Sequence, residues 1–282
     1  MAMHSSGRRW AAAAAAAALV VAVGRGLTVR AAAGGGARPG LSPAATQDLV
    51  GRMRLSEHGD QLDGLRLMAD EVWKSGERPG KIHLETDQVF FYRSVYIEAT
   101  QSEQGKRLGA SARAKQDKAA RKLERRIDAL GDVPAAAGRL VNLDGEIWTL
   151  DQIAARFQWT ATDAGLVAGR PAVTLHFEPL AGLHAHSRVD RVLEAAAGNL
   201  TVDALSGQIL RGDFRSLGEV RYGGGWLAHI AFQGEFRMQP AGHCWVMRDV
   251  TVRVQGRILF TSLNGTQNNT YRLATGVAGC GG

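Results

Sequence analysis

The stretch WLAHIAFQGEFRM, Trp226 to Met238, decides the fold. Trp226, Ala228, Ile230, Phe232, Phe236 and Met238 fall on one side of an extended chain. His229, Gln233, Glu235 and Arg237 fall mostly on the other. Side chains alternate between strand faces with period two, so this run describes a sheet with one apolar and one polar side. Such a sheet must cover its apolar side with helices, close it into a barrel, or hold something with it.

The pattern extends in both directions. Pro171 to Glu178 sets Val173, Leu175 and Phe177 against Thr174, His176 and Glu178. Leu200, Val202 and Ala204 alternate with Thr201 and Asp203, and Ser206-Gly207 turns the chain into a strand ending near Arg215. Trp245 to Gln255 carries Val250, Val252 and Val254 on one face. Gly256 is expected to turn that strand into Arg257 to Leu263, and a last strand to reach Tyr271. The short connections predict a meander of antiparallel neighbours.

Upstream, Ser42-Pro43 reads as an N-cap with proline at the first helical position, opening a helix to about Leu55 with Leu49, Val50 and Met53 on its apolar side. Leu62 to Lys74 fits helix or strand. Ile82 to Thr100 is β-branched and aromatic enough for one strand or a hairpin. Gly105 to Ala129 holds nine Lys or Arg and many Ala, and predicts a solvated helix packed along a stripe of Leu123, Ile127 and Leu130. Asp117, Glu124 and Asp128 interleave with its bases and weigh against the other reading, a basic arm for nucleic acid or anionic lipid. Val141 to Ile147 predicts a hairpin turning at Asp144-Gly145, and Leu150 to Phe157 a short helix. Ser187 to Ala196 fits a helical insertion or an extended loop.

The N-terminus has the layout of a cleaved export signal: Arg8-Arg9, then the 14 apolar residues Trp10 to Val23, then small-residue cleavage positions. The expected organisation is a signal peptide over 1–33, a linker over 34–40, one domain over 41–273 with the basic helical segment at 105–130, and a Gly-rich tail over 274–282. Of the 34 basic residues four, Arg8, Arg9, Arg25 and Arg30, lie in the leader, which has no acid. The mature chain then has 30 basic against 27 acidic residues, too slight a surplus to argue for a polyanion. The two cysteines, Cys244 and Cys280, could pair in an oxidising compartment or remain free.

Catalytic signatures are missing. There is no G-x-S-x-G elbow or S-x-x-K set, Gly223 to Gly225 lacks the Lys-Ser/Thr of a phosphate loop, and the acids are scattered without a pair that spacing places together. His184-x-His186 sits in a loop with no carboxylate or cysteine to complete a metal set. Asn264-Gly-Thr and Asn268-Asn-Thr match glycosylation sequons, as Asn/Thr-rich strands do by chance.

Three segments carry a family resemblance. GRPAVTLHFEP (Gly169 to Pro179), NLTVDALSGQILRGDF (Asn199 to Phe214) and GGGWLAHIAFQGEFRMQPAGHCWVMRDVTVRVQGRILF (Gly223 to Phe260) are similar to successive strands of the LolA-like outer-membrane lipoprotein-sorting proteins. The match spans roughly Leu140 to Arg272. It implies an α+β fold that is mainly antiparallel β: a curved, incompletely closed barrel with helices covering its concave face. It implies a soluble periplasmic monomer, not an enzyme, without cofactor, metal or nucleic-acid partner. Lipid or lipoprotein acyl chains would lie in an apolar groove, with inner- and outer-membrane sorting components as further partners. The candidate liners are Val173, Leu175, Phe177, Trp226, Ile230, Phe232 and Phe236. The other readings are an envelope sensor or scaffold that binds a protein, and an exported hydrolase with a dispersed site.

Overall fold

The computed structural model describes residues 41–56, 62, 65–76, 80–93, 95–132, 140–143, 146–167, 169–223, 228–241, 244–259 and 261–274. The expected leader, linker and most of the tail lie outside these residues, as do Trp226, His243, Cys280 and the Asp144-Gly145 turn.

The chain runs α1 (Pro43–Ser56), β1 (Arg66–Ser75), β2 (Ile82–Tyr92), β3 (Val95–Glu103), β4 (Lys106–Arg107), α2 (Ala110–Asp128), β5 (Leu140–Leu143), β6 (Glu146–Thr149), α3 (Leu150–Ala154), β7 (Phe157–Val167), β8 (Arg170–Pro179) and α4 (Arg188–Leu193). It continues through β9 (Ala196–Asp203), β10 (Ile209–Ser216), β11 (Val220–Tyr222), β12 (Ala228–Ala241), β13 (Cys244–Ile258), β14 (Thr261–Ser262) and β15 (Gly265–Leu273). Thirteen strands form one antiparallel sheet in the order β4-β3-β2-β1-β15-β13-β12-β10-β9-β8-β7, with β11 on β12 and β14 on β13. The meander is interrupted once, where the first strand pairs with the last, from Leu67 opposite Leu273 to Ser75 opposite Gly265. β5 and β6 pair apart from this sheet, so β3 and β7 do not meet and the sheet is curved but not closed.

Two glycines let the sheet coil tightly. A Cβ on Gly212 would come within 2.6 Å of Phe236 Cε1, and one on Gly234 within 2.3 Å of Phe214 Cζ. Each aromatic ring fills the space above the glycine of a neighbouring strand, which favours strong local twist.

Helices cover the concave side. α1 starts as expected, with Ala45 N–H donating to Ser42 Oγ at 3.3 Å, and buries Leu49, Val50 and Met53. The Arg52 guanidinium fixes it to the β9–β10 turn by donating to the carbonyls of Ala204 (2.8 Å) and Leu205 (3.0 Å). α3 opens with a Thr149/Gln152 capping box and α4 with a Ser187/Asp190 box, so each short helix satisfies its own first turn. Asp190 is buried and lies 2.7 Å from Arg156 Nη2, which joins α4 to the start of β7.

α2 lies on the other side of the sheet. Ile127, fully buried, packs with Val95, Ile97 and Leu140 as a second small core, with Leu123 and Ala120 partly buried against it. Its Arg and Lys side chains are exposed, as the interleaved charges predict.

One expectation is corrected here and two open readings are settled. Gly256 does not end its strand: at φ 149° it carries β13 onward to Ile258, and the chain turns after Leu259, at φ 53°. Leu62 to Lys74, open between helix and strand, is strand from Arg66, and Ile82 to Thr100 is a hairpin.

Candidate functional site

The register of the sheet assigns every inward side chain. From β7 inward these are Phe157, Trp159 and Ala161, then Val173, Leu175 and Phe177 on β8, Leu200 and Val202 on β9, and Phe214 on β10. Ile230, Phe232 and Phe236 follow on β12, and Val250, Val252 and Val254 on β13. All of them belong to one core with the apolar sides of α1, α3 and α4.

The six described liners therefore share this surface, in two rows. The β8 row and the β12 row are separated by β9 and β10, roughly 14 Å at the usual strand spacing. Each row ends in an aromatic cluster. Phe177 stands edge-on to Phe157 at 5.1 Å and lies 5.6 Å from Trp159, whose Nε1–H donates to Ala154 O of α3 at 3.0 Å. Phe232 and Phe236 flank Phe214 at 6.1 and 6.5 Å. In this structure all six are buried, Leu175 completely and Val173 to 7% exposure, under the three helices.

The register also assembles a group that the sequence did not reveal. Val250 and Val252 lie opposite Asn269 and Gln267 on β15, and there the concave surface turns polar. Glu71 on β1 lies opposite Asn269 and opposite Glu85 on β2. Asp87 lies opposite Thr100, and Glu98 opposite Val89. The acids that looked scattered thus form a cluster of four from three strands, which corrects the expectation that no acidic pair comes together. Gln267 Nε2 donates to Glu71 Oε2 at 2.8 Å and Asn269 Nδ2 to the same oxygen at 3.3 Å. Tyr96 Oη–H donates to Glu98 Oε1 at 3.0 Å, Thr100 donates to Glu85, and His83 Nε2 lies 3.3 Å from Glu85 Oε2.

Burial, then the charges of Glu98 and Glu85, pushes the Glu71 carboxyl up to about 8. The same causes push Asp87 to about 9. Burial, then the charge of Glu85, raises Glu98 to about 7, although its side chain still reaches solvent.

The remaining candidates separate. His184 and His186 are exposed in the loop before α4. Among the described residues no cluster of His, Cys, Asp and Glu has the arrangement of a metal site. Cys244 is buried and disulfide-bonded, and Cys280 is the chain's only other cysteine. A cleft of about 290 Å³ lies on the opposite face of the sheet, lined by Asp213, Arg215, Gln233, Glu235, Thr251 and Arg253, and includes none of the predicted liners. No helix among the described residues is long and apolar enough to cross a membrane.

These features define a class: an open, curved antiparallel sheet whose concave face is covered by short helices. The structure is similar to a LolA superfamily protein from Nitrosomonas europaea, at 9% identity and TM-score 0.36 over 80% of this chain and 91% of that one. It is also similar to an outer membrane lipoprotein-sorting protein domain from Vibrio parahaemolyticus, at 9% identity and TM-score 0.36 over 80% and 93%. A DUF1329 family protein from Desulfovibrio piger aligns at 13% identity and TM-score 0.30 over 83% and 94%. No protein-family model matches the chain, and no curated protein matches it. Likenesses this distant carry nothing about ligand or partner.

Proposed function

We propose that this protein is a non-enzymatic carrier that holds acyl chains of lipids or lipoproteins against the apolar part of its concave face. Val173, Leu175, Phe177, Ile230, Phe232 and Phe236 line the site, with Trp226 preceding β12. The observation that supports this most is the apolar surface running unbroken from β7 to β13 beneath three short helices, the longest only 14 residues.

Binding requires α1, the longest of these helices, to give way, and magnitudes set the scale. The three buried apolar side chains of α1 contribute about 1.5–3 kcal/mol each, so lifting α1 costs about 5–9 kcal/mol from these alone. An acyl chain burying about 14 methylenes regains about 11 kcal/mol at 0.8 kcal/mol each. The exchange is close to balanced, which suits a carrier that must release its load. With the export signal expected at the N-terminus, the chain would act in the periplasm, between inner- and outer-membrane sorting components.

The test uses the mature chain, stripped of lipid, and displacement of a fluorescent fatty acid. Protein purified from its native compartment is also extracted and analysed by mass spectrometry. Saturable displacement and co-purifying lipid support the reading, and repeated absence of both refutes it.

A further inference from the structure

The concave face is two-toned. Its apolar part abuts the polar part along β13 and β15, with no intervening strand. Four carboxyl groups, Glu71, Glu85, Asp87 and Glu98, crowd onto the polar part; the amides of Gln267 and Asn269 and the hydroxyls of Thr100 and Tyr96 donate to them, and His83 lies beside Glu85.

Two buried oxygens of the cluster have no hydrogen bond among the described residues. Gln267 is 5% exposed and its amide nitrogen is engaged by Glu71, which places its head group inside the cluster, yet its Oε1 has no partner. Asp87 is 2% exposed and its Oδ1 has none either. A buried acceptor without a donor costs about 1–3 kcal/mol. Unmet oxygens amid clustered carboxyl groups, two of them protonated near neutrality, are complementary to a group that brings several N–H donors and a positive charge in place of those protons. The aromatic rings of Tyr96 and Trp73 pack on this side of the core and favour an organic cation.

We propose that the carried ligand is an amphiphile whose head bears a primary ammonium. Its tail lies on the apolar strands β8 to β12, and its ammonium sits among Glu71, Glu85, Asp87 and Glu98. This inference rests on the acyl-carrier reading and names the head group that reading leaves open. Burial and mutual repulsion hold protons on Glu71 and Asp87 near neutrality, so an arriving ammonium displaces protons. Ammonium binding therefore tightens as pH rises from 6 to 8.5. Glu85, Glu98, His83, Tyr96 and Tyr271 face the same space; burial and the Glu98 charge push the Tyr96 and Tyr271 hydroxyls above their ordinary value, so neither ionises in this window.

The experiment is competition of dodecylamine, dodecanol and dodecanoate against N-phenyl-1-naphthylamine on the lipid-free mature chain. Dodecylamine should bind at least tenfold tighter than dodecanol at pH 8, with dodecanoate weakest, and the amine's advantage should shrink at pH 6. Glu71→Gln with Glu98→Gln should narrow the advantage below threefold. Glu98→Gln alone, at a solvent-reached side chain, should narrow it severalfold and serves if the double variant does not fold. Equal binding of amine and alcohol, or tighter binding of dodecanoate, overturns the inference and leaves the carrier reading standing. Failure of all three to displace the probe overturns both.

Discussion

Neutralising Glu71 should weaken an unusual pH dependence of stability. Glu71 is 8% exposed, and burial with the charges of Glu98 and Glu85 raises its carboxyl from 4.5 to about 8. Its folded pKa lies above its unfolded value, so between the two the native state keeps a proton that the unfolded state has released. Stability from this group is therefore fully present below pH 4.5 and is lost as pH rises towards 8. Between pH 5 and pH 8 the loss attributable to Glu71 alone is on the order of 3 kcal/mol. Asp87 titrates in the same direction over a window reaching about 9. The Glu71→Gln variant keeps an acceptor for the Gln267 and Asn269 amides and removes the ionisation. Urea unfolding at pH 5, 6, 7 and 8 provides the measurement. The wild type should lose stability steadily across the series, and the variant should lose at most half as much. A wild type that gains stability over this window, or a variant with the same slope, would refute the placement of Glu71 in a buried acidic cluster.

Three further outcomes follow from the packing. Phe236→Ala empties a site that is 1% exposed and should cost about 3–5 kcal/mol by chemical denaturation. Gly212→Ala pushes a methyl to 2.6 Å from the Phe236 ring and 2.8 Å from Asn199 O and should cost about 1–3 kcal/mol; combined with Phe236→Ala, the two should fall short of additivity because the methyl gains room. Asp190→Ala removes the buried partner of Arg156, 2.7 Å away, together with the carboxylate half of the α4 capping box, and should cost about 3–5 kcal/mol; a loss under 1 kcal/mol would show that the pair is solvent-screened.

How far the sequence reveals this molecule depends on where its signals are local. α1 is legible because Ser42-Pro43 and Leu49, Val50 and Met53 lie within one helix. β8 and β12 are legible because their inward residues are apolar and their outward residues mostly polar. β1 is not, because its inward side reads Leu67, Ala69, Glu71 and Trp73: the acid breaks the alternation where the concave face changes character. Gly256 misleads for a related reason. A glycine in sequence suggests a turn, but a Cβ here would sit 2.1 Å from His229 O, so the residue serves a close approach of two strands. One trace of the acidic cluster was available: Glu85, Asp87, Val89 and Phe91 recur at every second residue, which places two acids on the face carrying two core side chains.

What no local pattern holds is the register between the chain's two ends. Glu71 receives its amide partners from residues 196 and 198 positions away, so its environment exists only once β1 has docked on β15. That pairing also joins the polar strands β1 to β3 to the apolar sheet, because β3 and β7 are not paired. The closing contact of the fold and the polar end of the concave face are therefore the same structure. Loop-closure entropy over such a separation is paid before the contact returns any stability, so β1–β15 pairing should form late in folding. A substitution at the interface, such as Gln267→Ala, should accelerate unfolding and leave the refolding rate nearly unchanged; a slowed refolding limb would place the pairing in the transition state instead.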